Sequence, residues 1–312
     1  MISMSRFART IKLVSATAVI IWSATAIFLA EGASRLPPQS RTPQLAPTAN
    51  ASTQTPDGVT LRAWTSEPDS WNGKAVILLH GVGDSHSGMA RMAAMFARNG
   101  YRTLSPDNRG HGASGGEVFS YGVRERNDVA RWIDWIDKTW KPSATFGYGA
   151  SMGASILLQS MPNEPRLKAV VADCPFVTFR AVAYYRVMRA AGPLLAPAVE
   201  LALLYTRFRF DFDLGDASPK AGMRNSSTPV LLIHGDADRN IPVEHSERLA
   251  QLRNRRRCEF WKVAGAAHVA CYRTAPAEYE RKILNWFETA SDAKAAQGPK
   301  GHAPTRTIRT KP

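Results

Sequence analysis

Phe146-Gly147-Tyr148-Gly149-Ala150-Ser151-Met152-Gly153 is the stretch that decides how this chain is read. A short run with strand character, Ser143 to Phe146, precedes it, and an apolar run with helical character, Ser155 to Met161, follows. A G-x-S-x-G between a strand and a helix has the form of a nucleophile elbow. The turn is so tight that a Cβ on either flank would clash, and Gly149 and Gly153 meet that need while Ala150 keeps the turn narrow. Ser151 is then expected at a strained backbone, at the carboxyl end of a sheet and the start of a helix, where backbone N–H groups favour negative charge. The motif alone recurs by chance in about one chain of this length in ten. A serine that merely opens a Gly-rich helix would look the same, so the reading depends on what the rest of the chain supplies.

A serine nucleophile needs a base, and the base needs a group to orient it. Pro229-Val230-Leu231-Leu232-Ile233 reads as a buried strand, followed by His234-Gly235-Asp236-Ala237-Asp238-Arg239-Asn240-Ile241-Pro242. Asp238 stands in a D-x-x-[hydrophobic]-P context just past that strand and is the candidate orienting acid. The plainer reading makes Asp236 and Asp238 turn formers. The next strand, Cys258 to Val263, runs into Ala264-Gly265-Ala266-Ala267-His268, and a histidine on that loop can swing over the serine. His80, His111 and His234 each sit in an H-G turn and are expected to support loops; His86, His245 and His302 lack a strand-end context. The oxyanion needs two N–H donors. Met152, after the nucleophile, is one candidate, and Val82, beyond the strand-like Ala75 to Leu79 and the turn His80-Gly81, is the other.

Five elements thus occur in order: Leu79-His80-Gly81, Asp107-Asn108-Arg109-Gly110-His111-Gly112-Ala113-Ser114, the elbow, His234 to Pro242, and Gly265 to His268. In them the chain resembles the α/β-hydrolase superfamily, whose order is Ser, then acid, then His. It is most similar to the single-domain, N-terminally anchored serine hydrolases of the Bem46 type. Serine aminopeptidase-like and lysophospholipase-like hydrolases share its D-x-R-G-H-G-x-S element. The resemblance spans about residues 56 to 290. It implies an α/β-hydrolase fold with a mostly parallel central sheet flanked by helices, a short helical cap between two late strands, a covalent acyl-enzyme on Ser151, and no metal or organic cofactor.

Composition narrows the alternatives. The 312 residues leave room for one large α/β domain or two small ones, and 44% hydrophobic content supports a buried core. The net charge is +14, but residues 1–55 and 291–312 carry +4 each, leaving +6 for the remainder. Basicity concentrated at the ends argues against nucleic-acid binding, and Arg255-Arg256-Arg257 reads as a solvated patch before a strand. Cys174, Cys258 and Cys271 lack metal-site spacing. Cys174 reads as a core residue, and a Cys258–Cys271 pair is conceivable from sequence.

Arg6, Arg9 and Lys12 precede an apolar stretch, Leu13 to Ala30, of 18 residues. This reads as an uncleaved signal-anchor within residues 1–33, with Ala30-Glu31-Gly32 a mediocre cleavage site; a cleaved signal peptide and a secreted or periplasmic product is the alternative. The positive flank places the N-terminus in the cytoplasm and the domain outside it. Residues 34–55 are rich in Pro, Ser, Thr and Gln and read as a flexible tether, and 291–312 as a disordered basic tail. Between them, strands are expected near 60–65, 75–80, 101–105, 143–147, 167–173, 229–234 and 258–263. Helices are expected near 88–99, 124–138, 151–161, 243–252 and 276–289. The interval from Pro175 to Thr228 is too long for a plain connection. It reads as a cap (about 176–228) of short helices broken by Pro193 and Pro197, with Phe176, Phe179 and Tyr184 as candidate lining of an apolar acyl pocket. Arg180, Arg186, Arg189, Arg207 and Arg209 make this cap basic.

These features point to a membrane-tethered serine hydrolase cleaving carboxylic esters or thioesters of a small or lipid-like acyl substrate. A serine peptidase or amidase is the rival within the fold. An aminopeptidase would need acidic groups in the cap, where arginines outnumber Glu200 and Asp211. A non-catalytic binding scaffold is the rival outside enzymology.

Overall fold

Short apolar runs bounded by turns form the centre of the molecule. The computed structural model describes residues 2–36, 50–253 and 257–295; residues 37–49 of the tether, Arg255-Arg256, the tail from 296 with His302, and the side chains of Arg6 and Arg9 lie outside the described residues. Eight strands, β1 (Ala51–Gln54), β2 (Thr60–Ser66), β3 (Lys74–Leu79), β4 (Arg102–Pro106), β5 (Ala144–Ala150), β6 (Leu167–Asp173), β7 (Val230–Gly235) and β8 (Cys258–Val263), make one sheet in the order β1-β2-β4-β3-β5-β6-β7-β8. β1 and β2 pair antiparallel, as do β2 and β4; every later pairing is parallel. The central strands β3, β5, β6 and β7 are covered on both faces, which is why they read as nearly unbroken apolar runs. Because β5 to β8 are parallel neighbours, the loops after β5, β7 and β8 leave the sheet on one side.

Helices α2 (Ala90–Arg98), α3 (Glu125–Thr139), α4 (Met152–Ser160), α8 (Glu244–Ala250), α9 (Cys271–Thr274) and α10 (Pro276–Ala295) accompany the strands. The sheet separates two apolar layers. Trp132, Ile133 and Ile136 of α3 pack with Leu157 of α4 in one layer. Phe96 of α2 and Tyr279, Ile283 and Phe287 of α10 pack in the other, with Phe287 stacked 4.4 Å from the ring of Phe146.

Three elements differ from the sequence reading. First, the end of the expected tether is ordered: β1 (Ala51-Ser52-Thr53-Gln54) adds an edge strand by backbone pairing with β2, and of its four side chains only Ala51 is buried in the core. Second, the cap helices are long. They are α5 (Phe179–Ala191) and α6 (Ala196–Phe210). Pro193 lies between them, but Pro197 falls in the first turn of α6, where a missing N–H costs no hydrogen bond. The following α7 (Pro219–Asn225) lies against α4, and a Cβ on Gly222 would stand 1.8 Å from the Leu158 carbonyl oxygen.

Third, the N-terminal helix α1 (Ile2–Ser34) does not stand apart from the domain. Ala26 and Ala30 are buried against Ala202 of α6, with Leu29 and Tyr205 packed around them. Small residues let the two helix backbones approach closely. Polar contacts flank the seam: Trp22 Nε1–H donates to the Leu194 carbonyl at 2.9 Å, Tyr205 donates to Glu31 at 2.9 Å, and the Phe119 N–H donates to the Ser34 carbonyl at 3.0 Å.

Candidate active site

Ser151 joins β5 to α4 with φ 52° and ψ −113°, a conformation that a non-glycine residue holds only when its surroundings enforce it. The two glycines of the turn explain how. A Cβ on Gly149 would lie 2.5 Å from the Ala154 nitrogen, and one on Gly153 would lie 2.1 Å from the Leu79 carbonyl oxygen. The Ser151 N–H donates to the Asp173 carbonyl at 2.8 Å, which ties the turn to β6.

The loops after β7 and β8 bring two further side chains to Ser151. His268 Nε2 lies 2.9 Å from Ser151 Oγ, and its Nδ1 lies 2.6 Å from Asp238 Oδ2. Asp238 is buried; its Oδ1 accepts the N–H groups of Asn240 (2.8 Å) and Ile241 (2.9 Å). His234 Nε2 stands 3.2 Å from Asp238 Oδ2 and 2.8 Å from the Ile241 carbonyl, while its Nδ1 meets Ser246 Oγ at 2.7 Å. Burial opposes ionisation of Asp238, but the bonds from His234 and His268 outweigh it and hold the carboxyl well below the usual carboxylate range. An ionised Asp238 requires the proton of His268 on Nδ1. Nε2 is then free to accept from the Ser151 hydroxyl. Asp236 has a different place: its Oδ1 accepts the Gly265 N–H at 2.7 Å in an exposed turn.

The sheet order and this geometry agree with the chain's likeness to known proteins. The family described as serine aminopeptidase, S33, matches residues 72–212, a range that holds Ser151 and ends before Asp238 and His268. Uncharacterized protein YqkD of Bacillus subtilis is 27% identical over 222 residues, covering 70% of this chain and 72% of that protein. Protein ABHD14A of Danio rerio is 30% identical over 169 residues, 48% of this chain and 59% of its own length. Among solved structures, the Pyrococcus furiosus esterase Pf2001 superposes with a TM-score of 0.64 at 22% identity, covering 81% of this chain and 94% of that one. In sequence and fold the chain is similar to α/β-hydrolases. It has the mostly parallel sheet and flanking helices of the α/β-hydrolase fold.

Over Ser151 the protein carries a cleft of about 460 Å³. Val82 and Met152, the candidate oxyanion donors, both border it. Met152 opens α4, so its N–H is one of the helix's unpaired amides. Gly81 brings the Val82 loop close: a Cβ there would stand 3.4 Å from Ser151 Cβ. Of the three candidate pocket residues, Phe176 borders this cleft and Phe179 lines an adjoining cavity. Tyr184 lines neither, because five residues past Phe179 it falls on another face of α5, where its hydroxyl donates to Glu200 at 2.9 Å. Glu200 also pairs with Arg180.

Sequence reasoning missed Tyr121, Val182 and Arg186, which border the cleft. Tyr121 has φ 53°, and only its place in Ser120-Tyr121-Gly122 hints at a tight turn. Arg186 Nη2 donates to Asn240 Oδ1 at 2.9 Å, and Tyr185 and Arg189 donate to the Arg239 carbonyl, so α5 is latched to the loop that bears Asp238.

The other histidines hold loops. His80 Nδ1–H donates to the Gly81 carbonyl at 2.7 Å, and Nε2 accepts the Asn108 N–H at 3.0 Å. His245 Nδ1 accepts the Val177 N–H at 3.0 Å. Each must be neutral to do this. Burial, with the neighbouring His111, lowers His80 from 6.5 to about 3; burial, with the neighbouring His234, lowers His245 from 6.5 to about 4. The unfolded chain therefore binds more protons below pH 6.5, and the stability present above that pH is lost as the pH falls through 4. For two such groups the slope approaches about 2.7 kcal/mol per pH unit. Thermal unfolding should show Tm falling steeply between pH 6 and 4, with roughly half the slope in His245→Asn. A flat Tm over that range would contradict the neutral assignment.

Beneath His268 the protein buries a polar cluster. Tyr279 donates to Asp173 Oδ2 at 2.7 Å and meets the Tyr148 hydroxyl at 2.8 Å; Cys174 donates to Asp173 Oδ1 at 3.1 Å. Cys174 Sγ also accepts the Val269 N–H at 3.5 Å, beside His268. Cys174, Cys258 and Cys271 are free and buried. A thiol hydrogen bond with Cys271, together with burial, pushes the Cys174 thiol up; Cys271 has Cys174, not Cys258, as its thiol neighbour. Asp173, Cys174 and Cys271 could in principle hold a metal ion, as could Cys174, Asp238 and His268, but their donor atoms are already engaged in the bonds just given.

Proposed function

We propose that the hydrolase cleaves carboxylic ester or thioester bonds through an acyl-enzyme on Ser151. The observation that carries this reading is the continuous bonding from Asp238 through His268 to Ser151 at the floor of the cleft. Ser151 Oγ attacks the carbonyl carbon as its proton passes to His268 Nε2, and Asp238 holds the imidazole tautomer and stabilises the imidazolium. The N–H groups of Val82 and Met152 receive the oxyanion. Collapse of the tetrahedral intermediate expels the alcohol or thiol, which takes the proton from His268. Water activated by the same imidazole then releases the acid and restores Ser151. Apolar groups on the cleft wall, Met89, Phe176 and Ile241 among them, suit an acyl substrate. A membrane anchor in α1, with the domain outside the cytoplasm, completes the reading: Lys12–Ser34 is 23 residues long with mean hydropathy 2.1.

One observation favours a second reading, a serine aminopeptidase. Asp84 borders the cleft and could receive a free amino group. Against it, burial raises the pKa of Asp84 and so opposes the charge that role needs, and Glu200 is engaged with Arg180 and Tyr184. A screen of p-nitrophenyl esters of graded chain length beside aminoacyl p-nitroanilides separates the two. Ester turnover should exceed anilide turnover by at least about 10²-fold, some 2.7 kcal/mol in the barrier. Preferred cleavage of the anilides would replace the esterase reading with the peptidase one.

A further inference from the structure

A cavity of about 410 Å³ lies between α1 and the cap. Phe28, Leu29 and Ala33 of α1 form one wall; Val187 of α5 and Val199 and Leu203 of α6 form the other. Among the described residues, Arg186 is the only charged one in its lining. The cavity meets the cleft over Ser151 at Val82, Tyr121, Val182 and Arg186, which border both. Its volume is that of a small-molecule site.

The surroundings indicate what fills it. Among the described residues, α1 is the one helix long and apolar enough to cross a membrane. Beside its contact with Ala202 and Tyr205, α6 exposes Leu201, Leu204 and Phe208, spaced along one helix face. Leu194, whose carbonyl binds Trp22, is exposed as well. An apolar stripe bordering a membrane helix is best accommodated within the same apolar phase. Phe28 stands at the boundary: it lines the cavity and is 77% exposed.

We propose that α1 is a wall of the substrate site as well as an anchor, and that the cavity receives the acyl chain of a membrane lipid ester entering between α1 and α6. The chain then passes from bilayer to cavity without crossing water, and the ester carbonyl reaches Ser151 past Tyr121 and Val182. This rests on the reading of Ser151 as an esterase nucleophile and specifies its substrate. Gly32 lines the cavity, and no atom lies within 4 Å of where its Cβ would stand, so a bulky side chain fits there and removes cavity space.

The test uses full-length protein in detergent micelles and two alkyl fluorophosphonates, ethyl and dodecyl. Each forms an Oγ–P bond at Ser151 and expels fluoride, with the serine proton going to His268. The dodecyl probe should react about tenfold or more faster than the ethyl probe, because its chain is buried in the cavity. Gly32→Trp should bring the ratio of the two rates close to one, and Gly32→Leu to an intermediate value. Ile27→Trp, at an exposed α1 position outside the cavity lining, should keep the wild-type ratio. A dodecyl rate no higher than the ethyl rate, or a ratio unchanged by Gly32→Trp and Gly32→Leu, overturns the proposal while leaving the nucleophile in place. Failure of both probes to label Ser151 overturns the nucleophile reading and this proposal with it.

Discussion

Ser151→Ala should lower kcat on any accepted ester by about 10⁶ while leaving the fold intact. The side chain makes one bond of consequence, from Oγ to His268 Nε2, and His268 remains held by Asp238 after its loss. Alanine keeps a Cβ at the same positive φ, so the turn gains no new strain. Turnover and thermal unfolding of the purified variant are to be measured together. Residual activity above about a tenth of wild type, far more than removal of a nucleophile permits, would exclude Ser151 from that role.

Asp238→Asn should cost up to about 10⁴ in kcat, and Asp236→Asn no more than a few-fold. An asparagine can turn its NH₂ toward His268 Nδ1, which stabilises the tautomer with the proton on Nε2, facing Ser151 where a lone pair is needed. Turned the other way, the NH₂ faces the Asn240 and Ile241 N–H groups that now donate to Oδ1. The first orientation disables the base, and the second sets donor against donor. Asp236 accepts one N–H in an exposed turn, and asparagine can still accept it. Larger damage from Asp236→Asn than from Asp238→Asn would move the acid role to Asp236.

The parts that sequence makes legible share a physical reason. Strands such as Val230–Gly235 are buried on both faces, so their apolar runs announce them, and the Gly149 and Gly153 contacts are so close that the residue type itself records the turn. The loops after β5, β7 and β8 converge because parallel strands end on one side, which made Ser151, Asp238 and His268 readable as candidates. β1 was hidden because an edge strand held by backbone bonds needs no apolar pattern. The lining of the cleft was less accessible, since which face of α5 turns inward depends on how the cap docks; Tyr184 and Val182 are two residues apart and point differently. The seat of α1 on α6 was illegible for a related reason. Ala26, Ala30 and Ala202 are ordinary helix residues until two distant segments meet.

The latch between α5 and the Asp238 loop limits how this protein could change its diet. Caps of this kind look exchangeable, since they hang between two strands of the sheet. Here Arg186, Tyr185 and Arg189 grip Arg239 and Asn240, next to Asp238. A donor cap grafted at its two ends would arrive without that grip, and the acid's loop would have to find new partners before the borrowed selectivity could be expressed. Selectivity is therefore altered more safely by single replacements on the inward face of α5 than by wholesale trade of the cap.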